Sequence, residues 1–167
     1  RLVEVGPRDG LQNEPSLIAT DLKVAFVDAL SRSGLTDIEV SSFVSPRWVP
    51  QLADAEEVFR RITRAEGVRY WALVPNEAGL ERATAAHVDG IAVFTAASET
   101  FSRRNTNATI AETLERFAPV IAAATVPVRG YVSTAFHCPF EGVIAPEAVQ
   151  RIVLALLELG CEEISLG

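Results

Sequence analysis

Arg8 and Asp9 stand side by side in Val5-Gly6-Pro7-Arg8-Asp9-Gly10-Leu11-Gln12-Asn13-Glu14, directly after a short β-like run. They join a permanent cation to a carboxylate. A hard divalent ion takes oxygen ligands such as Asp9, and the rigid donor fork of an arginine stabilises an oxyanion. Gly-Pro and Asp-Gly also form turns, so a salt bridge within a surface turn accounts for the same residues. Glu39, set between Ile38 and Val40, is a sharper signal. Burying a carboxylate in an apolar strand is costly unless it is paired or hydrogen-bonded. Arg8, at the end of the adjacent strand, is its expected partner. A purely structural ion pair, or a carboxylate exposed at the strand tip, remains the alternative.

Other segments offer weaker chemistry. Ser41, Ser42 and Ser45 make a hydroxyl-rich turn that continues through Arg47, Trp48, Val49 and Pro50. There Trp48 suits either the apolar part of a ligand or a seal on the core. Residues 95–109 place Arg103 and Arg104 beside Asn105 and a helix start, which suits an anionic group such as a phosphate, or simply a solvated loop. His87, at a helix end, reads as structural. His137 precedes Cys138-Pro139, a weak cue for covalent catalysis, and no Ser-His-Asp arrangement stands out.

These residues need elements to position them. Apolar or β-branched runs at 2–5, 37–41, 69–74, 90–94, 128–134 and 162–166 alternate with segments of helical period at 21–33, 53–65, 77–86, 110–123 and 146–159. The first helix is expected to bury Leu22, Phe26, Ala29 and Leu30; the last, Val149, Ile152, Val153 and Leu156. Thr109 with Glu112 has the pattern of a capping box, Pro146 suits a first helical turn, and Gly34 and Gly160 sit where helices stop. Six strands alternating with five helices imply a mainly parallel α/β sheet. Its long strand-to-helix links, at 6–20, 42–52, 95–108 and 135–145, form the functional rim at the carboxyl ends of the strands.

A closed barrel is favoured over an open dinucleotide-binding sheet, because no Gly-x-Gly-x-x-Gly follows the first strand. Strand alternation also puts Glu39 on one face with Asp37 and Ser41, a face that looks inward in a barrel. A (β/α)8 barrel needs about 250 residues. Residues 1–167 are therefore expected to be the N-terminal and central part of one TIM barrel, an incomplete fragment with about six of eight strands. In isolation such a piece is expected to aggregate or stay partly folded.

Composition sets the outer limits. With 167 residues, 49% hydrophobic and 22% charged, the chain is ordinary globular material, which excludes disorder, fibrous repeats and a disulfide scaffold. A net charge of −7 argues against nucleic acid as a partner. No run of 18 apolar residues appears, so no membrane partner is expected, and no signal peptide is visible. Cys138 and Cys161 are read as free thiols of a reducing compartment.

The run from Val5 to Glu14 closely resembles the first strand and loop of the 3-hydroxy-3-methylglutaryl-CoA lyase family. The likeness continues in Ile38-Glu39, Ser42-Phe43-Val44-Ser45-Pro46, Trp48-Val49-Pro50-Gln51, Pro75-Asn76, Ala97-Ser98-Glu99 and Arg129-Gly130-Tyr131-Val132-Ser133. It also covers Cys138-Pro139-Phe140-Glu141-Gly142 and Glu163-Ile164-Ser165-Leu166-Gly167. The resemblance implies a TIM barrel that uses Mg²⁺ or Mn²⁺ to cleave 3-hydroxy-3-methylglutaryl-CoA to acetyl-CoA and acetoacetate, in leucine degradation and ketone-body metabolism. By motif, it makes Arg8 the stabiliser of the thioester enolate, Asp9 a metal ligand that assists proton removal, and Glu39 the holder of Arg8. Gln12, Ser42 and Asn105 become substrate contacts, and Arg103 and Arg104 would meet the CoA phosphates. It further implies a homodimer, cytoplasmic in a bacterium and mitochondrial in a eukaryote, the first being preferred. The family's His-x-His metal ligands, a later Asn and a mobile catalytic Cys correspond to positions past Gly167, and neither Cys138 nor Cys161 matches that Cys. The 167 residues alone are therefore expected to be inactive. The runner-up readings are a related CoA-ester lyase or Claisen-type synthase with a different acyl group, or a noncatalytic module should the natural chain end here.

Overall fold

Where the apolar period changes, the backbone changes with it. In the computed structural model, which describes residues 2–167, the chain divides into two compact units, the first ending at Ile91 and the second covering Ala92–Gly167. The first unit holds α1 (Thr20–Ser31), β1 (Asp37–Ser42), α2 (Ala55–Arg61), β2 (Arg69–Leu73) and α3 (Glu77–Ala85). The boundary falls within β3 (Gly90–Ala96). The second unit continues with α4 (Glu99–Thr106), α5 (Ile110–Ala123), β4 (Val128–Ser133), the short strands β5 (His137–Cys138) and β6 (Gly142–Val143), α6 (Pro146–Leu159) and β7 (Glu163–Leu166). Strand order along the main sheet is β1-β2-β3-β4-β7, with β1 parallel to β2 and β4 parallel to β7. The expected parallel α/β class is thus present.

In the first unit, Ile38 and Val40 of β1, Tyr70, Ala72 and Val74 in and after β2, and Val27, Val58, Phe59, Leu80 and Ala83 of the helices are all buried and make up its core. The Phe43 and Phe59 rings stack with centroids 5.8 Å apart. Two expectations fail here. Residues 2–5 do not form a sixth sheet strand; they make one parallel bridge, Glu4 to Ile38. Pro7 offers no N–H to extend a ladder, and the chain coils at Gly6 instead. The buried stripe of α1 is also not Leu22, Phe26, Ala29 and Leu30. Leu22 and Phe26 are exposed, and the helix turns inward Lys23, Val27 and Ser31. Polar anchors decide that rotation. Lys23 Nζ bonds the Gln51 carbonyl and, at 2.7 Å, Asp54 Oδ1, while the Tyr70 hydroxyl donates to Ser31 Oγ at 2.9 Å. A buried ammonium must find such partners, and its position sets which face turns in. α2 is shorter than the expected 53–65 because Ile62 is extended and the Thr63 N–H is taken by Asp28.

In the second unit, Phe117, Val120 and Ile121 of α5, Ile152 and Leu156 of α6, and Val128 and Val132 of β4 are all buried. Residues 95–109 are not a plain loop. They contain α4, begun by Ser98, whose Oγ accepts the Phe101 N–H at 3.1 Å, and ended by Asn107 in the left-handed region. α6 ends at Gly160 as expected, whereas Gly34 lies beyond the end of α1. Among the described residues no helix is long and apolar enough to cross a membrane, and both cysteines are free and buried.

The capping box forms. Thr109 Oγ1 accepts the Glu112 N–H at 3.0 Å, and a Glu112 carboxylate oxygen accepts the Thr109 N–H at 2.6 Å. Thr109→Ala is expected to lower stability by about 1 kcal/mol, read from chemical denaturation. The backbone N–H of Thr109 holds the Glu112 carboxyl below its ordinary range. A carboxylate whose pKa is lower folded than unfolded stabilises above its unfolded pKa, and that contribution is lost as pH falls through the folded value. The wild-type advantage over Glu112→Gln should therefore shrink in acid.

Candidate active site

The turn after residues 2–5 places the first two candidate groups. Glu4 donates its N–H to the Asp37 carbonyl at 3.0 Å and its own carbonyl accepts the Glu39 N–H at 2.8 Å, so this segment lies against β1. The Glu4 carboxylate then accepts the Gly6 N–H at 2.6 Å. A Cβ on Gly6 would stand 2.8 Å from that oxygen, so a larger residue there would push the Glu4 carboxylate aside. Gly6–Gly10 closes as a single π-type turn with Pro7 buried in its first positions. The N–H groups of Arg8, Asp9 and Gly10 all point at the Val5 carbonyl, at 3.1, 2.7 and 3.4 Å. Isolated π-type turns are frequent at functional sites, where they redirect side chains.

That turn brings Arg8 over Glu39. Arg8 Nε donates to Glu39 Oε1 at 2.5 Å and Nη1 donates to Asp9 Oδ1 at 2.7 Å. Side-chain exposure rises from 0% at Glu39 through 12% at Arg8 to 56% at Asp9. A sealed carboxylate thus holds one side of a guanidinium whose other neighbour is an open carboxylate. Charge-assisted bonds of this kind fix orientation as well as charge. An arginine so held is a preorganised donor for an anionic oxygen arriving from solvent, and Asp9 has the exposure and the hard oxygen donors suited to a divalent cation or a proton.

β1 supports the arrangement, with one change from the expected pattern. Asp37 is buried, accepting the Trp71 indole N–H at 2.9 Å and lying 2.9 Å from Arg69. The register pairs Asp37 with Arg69 and Glu39 with Trp71, but Ser41 with Ala72. The register therefore shifts between Glu39 and Ser41, an irregularity of the ladder that interrupts its strict one-to-one pairing. A Cβ on Gly90 would overlap the Trp71 ring, with Cζ3 at 2.5 Å. Gly90→Ala should destabilise by about 1–3 kcal/mol through overpacking, read as a lowered Tm.

Within the first unit Arg8, Asp9 and Glu39 are joined by direct bonds. Gln12 is exposed. Ser42 is buried at the end of β1, its Oγ accepting the Val44 N–H at 3.2 Å. Trp48 is exposed. Arg103, Arg104 and Asn105 are exposed on α4 of the second unit. The two arginines occupy the last turn of that helix rather than a helix start, so they do not share the positive end of its dipole. His137 lies in β5, paired with Val143, and His87 is exposed at a helix end.

Sequence reading missed Glu4, which shapes the turn, and Arg129. Arg129 is 1% exposed, with Nη2 donating to Glu163 Oε2 at 3.1 Å and Nη1 reaching the Tyr131 hydroxyl at 3.5 Å. Burial pulls its pKa down, but the Tyr131 and Glu163 contacts outweigh it and the net shift is upward. The available signal was the one that found Glu39, polar residues alternating within an apolar run. Among the described residues no three His, Cys, Asp or Glu side chains converge on one point. Asp9 fits a hard cation as a single oxygen ligand.

In a parallel α/β protein, an arginine held between a buried and an exposed carboxylate, on the turn that follows the first chain segment, is an arrangement suited to an anionic oxygen. The chain matches the HMGL-like family over residues 1–167 and belongs to that family. It is 54% identical over 170 residues to the cytoplasmic 3-hydroxy-3-methylglutaryl-CoA lyase of Rattus norvegicus, covering 100% of this chain and 50% of the relative. Among solved structures, the HMG-CoA lyase of Brucella melitensis matches with a TM-score of 0.97 and 54% identity, over 99% of this chain and 59% of that one. An HMG-CoA lyase of Acinetobacter baumannii, solved with coenzyme A and 3-methylmalate, matches with a TM-score of 0.94 and 39% identity, over 98% and 54%. The chain spans about half the length of the curated relatives it matches. Those relatives include cytoplasmic and mitochondrial proteins.

Proposed function

We propose that this chain carries the Arg8–Asp9–Glu39 cluster of a divalent-metal-dependent lyase that cleaves 3-hydroxy-3-methylglutaryl-CoA to acetyl-CoA and acetoacetate. The observation that carries the reading is the guanidinium of Arg8, fixed by Glu39 and flanked by the exposed Asp9. The names of relatives about 50% identical supply the substrate. In the reaction the C3 hydroxyl loses its proton, its electrons form the C3 ketone of acetoacetate, and the C2–C3 bond breaks. The bond electrons pass to C2 and the thioester oxygen as an enolate, which takes a proton to become acetyl-CoA. Arg8 donates to the enolate oxygen, stabilising charge that develops only as the bond breaks. Glu39 keeps Arg8 aimed. Asp9 receives the hydroxyl proton or binds the cation. Mg²⁺ or Mn²⁺, when bound, supplies Lewis-acid polarisation of the substrate oxygens.

Gln12, Ser42, Arg103, Arg104 and Asn105 are proposed substrate contacts on motif alone. Residues 1–167 are proposed as part of one (β/α)8 catalytic domain that works as a homodimer in the cytoplasm, a state that sedimentation of the full-length protein would test. The deciding experiment measures acetyl-CoA release from 3-hydroxy-3-methylglutaryl-CoA by the full-length protein, with Mg²⁺ and then with excess EDTA. Turnover abolished by chelation and restored by metal supports the reading. No turnover by folded, metal-supplied protein rejects this substrate and sends the test to other acyl-CoA esters.

A further inference from the structure

A buried carboxamide stands against the loop that leaves the Arg8–Asp9 turn, and the chemistry above leaves it unused. Gln51 lies on a 3₁₀ turn, Pro50–Leu52, in the link from β1 to α2, and is 4% exposed. Its amide is engaged with the backbone of the loop. Oε1 accepts the Ile18 N–H at 2.9 Å, while Nε2 donates to the Ser16 carbonyl at 2.8 Å and to the Glu14 carbonyl at 3.4 Å. An amide side chain has an accepting oxygen and two N–H donors, and here both kinds of group are in use. A carboxylate of the same shape could make the first bond but neither of the others. Residues 12–17 are exposed, so the bonds to Gln51 tie an otherwise solvated stretch to the interior of the first unit.

Gln51 is itself gripped from behind. Its carbonyl accepts the ammonium of Lys23, which is 6% exposed. Lys23 also pairs with Asp54 Oδ1 at 2.7 Å, and Asp54 Oδ2 accepts the Thr20 hydroxyl at 2.7 Å. Asp54 stands at the N-cap of α2 yet makes no capping bond. An aspartate at that position ordinarily caps its helix; this one turns its carboxylate to α1 instead. Burying a lysine and diverting a capping carboxylate both cost stability, and an apolar contact between α1 and α2 would need neither. What the arrangement secures is the place of Gln51.

The loop meets the Arg8–Asp9 turn at its other end. Asn13 Nδ2 donates to the Asp9 carbonyl at 2.9 Å, the Asn13 N–H to the Gly10 carbonyl at 3.3 Å, and the Glu14 N–H to the Leu11 carbonyl at 3.0 Å. These short-range bonds join residues 9–14 into one piece. Its upstream end is held to β1 through Glu4, and its downstream end is held by Gln51.

We propose that Gln51 is a positioning residue for the lyase reaction: its carboxamide fixes the downstream end of the loop that carries Asp9, with Lys23 and Asp54 fixing Gln51. The proposal rests on the lyase reading above. Gln51 acts through the loop backbone and on no reacting atom. Reacting groups must be held to within about 0.5 Å by such supporting bonds, and a misplacement of about 1 Å costs about 10²-fold in rate.

The test uses the full-length protein and two readouts, hydrogen exchange of the loop amides and the kinetics of 3-hydroxy-3-methylglutaryl-CoA cleavage. Gln51→Ala and Gln51→Glu should each speed exchange over residues 9–18 about tenfold, with β1 and β2 unchanged. Both should lower kcat about 10–100-fold and leave KM within about twofold, because a loosened loop misplaces groups that act as the bond breaks. Lys23→Met/Asp54→Leu replaces both charges and strands neither. It should move the same amides and the same constant by a smaller factor, and it carries the test if the Gln51 variants do not fold. Unchanged loop exchange overturns the proposal, as does faster exchange with wild-type kcat. Faster exchange spread across β1 and β2 also overturns it, by making Gln51 a general support of the unit. A wild type that folds but does not cleave this substrate defeats the lyase reading, while the exchange comparison still supports or overturns the fastening of the loop.

Discussion

Replacement of Arg8 by methionine in the full-length protein is expected to lower kcat for cleavage of 3-hydroxy-3-methylglutaryl-CoA by about 10²–10³-fold or more, with a much smaller change in KM. The size follows from removing a preorganised donor to a developing oxyanion. The split between the constants follows from timing, because the enolate charge does not exist in the bound substrate, so its stabilisation enters kcat alone. Arg8→Lys should recover little. The contacts run through Nε to Glu39 and Nη1 to Asp9, and a single ammonium cannot satisfy both and still present a donor along the same line. A variant that loses KM rather than kcat would make Arg8 a ground-state binding residue and remove its proposed role.

Glu39→Ala should produce the largest loss of stability, about 3–5 kcal/mol, in chemical denaturation of the full-length protein. Taking one partner from a buried pair strands the other charge. The value should fall toward the lower end, because Arg8 retains 12% exposure and its contact with Asp9. Glu39→Gln keeps the volume and an accepting oxygen, so it should cost less stability while still lowering kcat through a misaimed Arg8. The double variant Arg8→Met/Glu39→Leu closes a mutant cycle. It should be more stable than Glu39→Ala, since replacing both charges leaves none stranded. If Glu39→Ala unfolds at the same denaturant concentration as wild type, the ion pair is not holding the turn.

Much of the site was legible before any coordinates. The pairing of Arg8 with Glu39 followed from the cost of burying a carboxylate between Ile38 and Val40, and the bond at 2.5 Å meets that expectation. The helices over Ile110–Ala123 and Pro146–Leu159 begin and end where their caps and apolar period placed them. α4 was missed because its eight residues hold a single large apolar side chain, Phe101, so no apolar stripe announces it. Its only marks were Ser98 at the start and Asn107 at the end. Glu4 was passed over although it alternates with Val3 and Val5 much as Glu39 does with its own neighbours.

Local chemistry is what the order of residues specifies by itself: which segments coil, which extend, and which carboxylate needs a cation. Those depend on spacing of a few residues along the chain. Rotation and register come from contacts between distant residues. The inward face of α1 turned on Lys23 finding Gln51 and Asp54, about thirty residues away. The shift of register between Glu39 and Ser41 arises in the pairing with β2. The reduction of residues 2–5 to one bridge came from how Gly6 and Pro7 divert the chain once Glu4 has met Ile38. In each case a buried polar group or an unpaired backbone group must be satisfied by whatever the fold brings near, and that partner is absent from the local pattern.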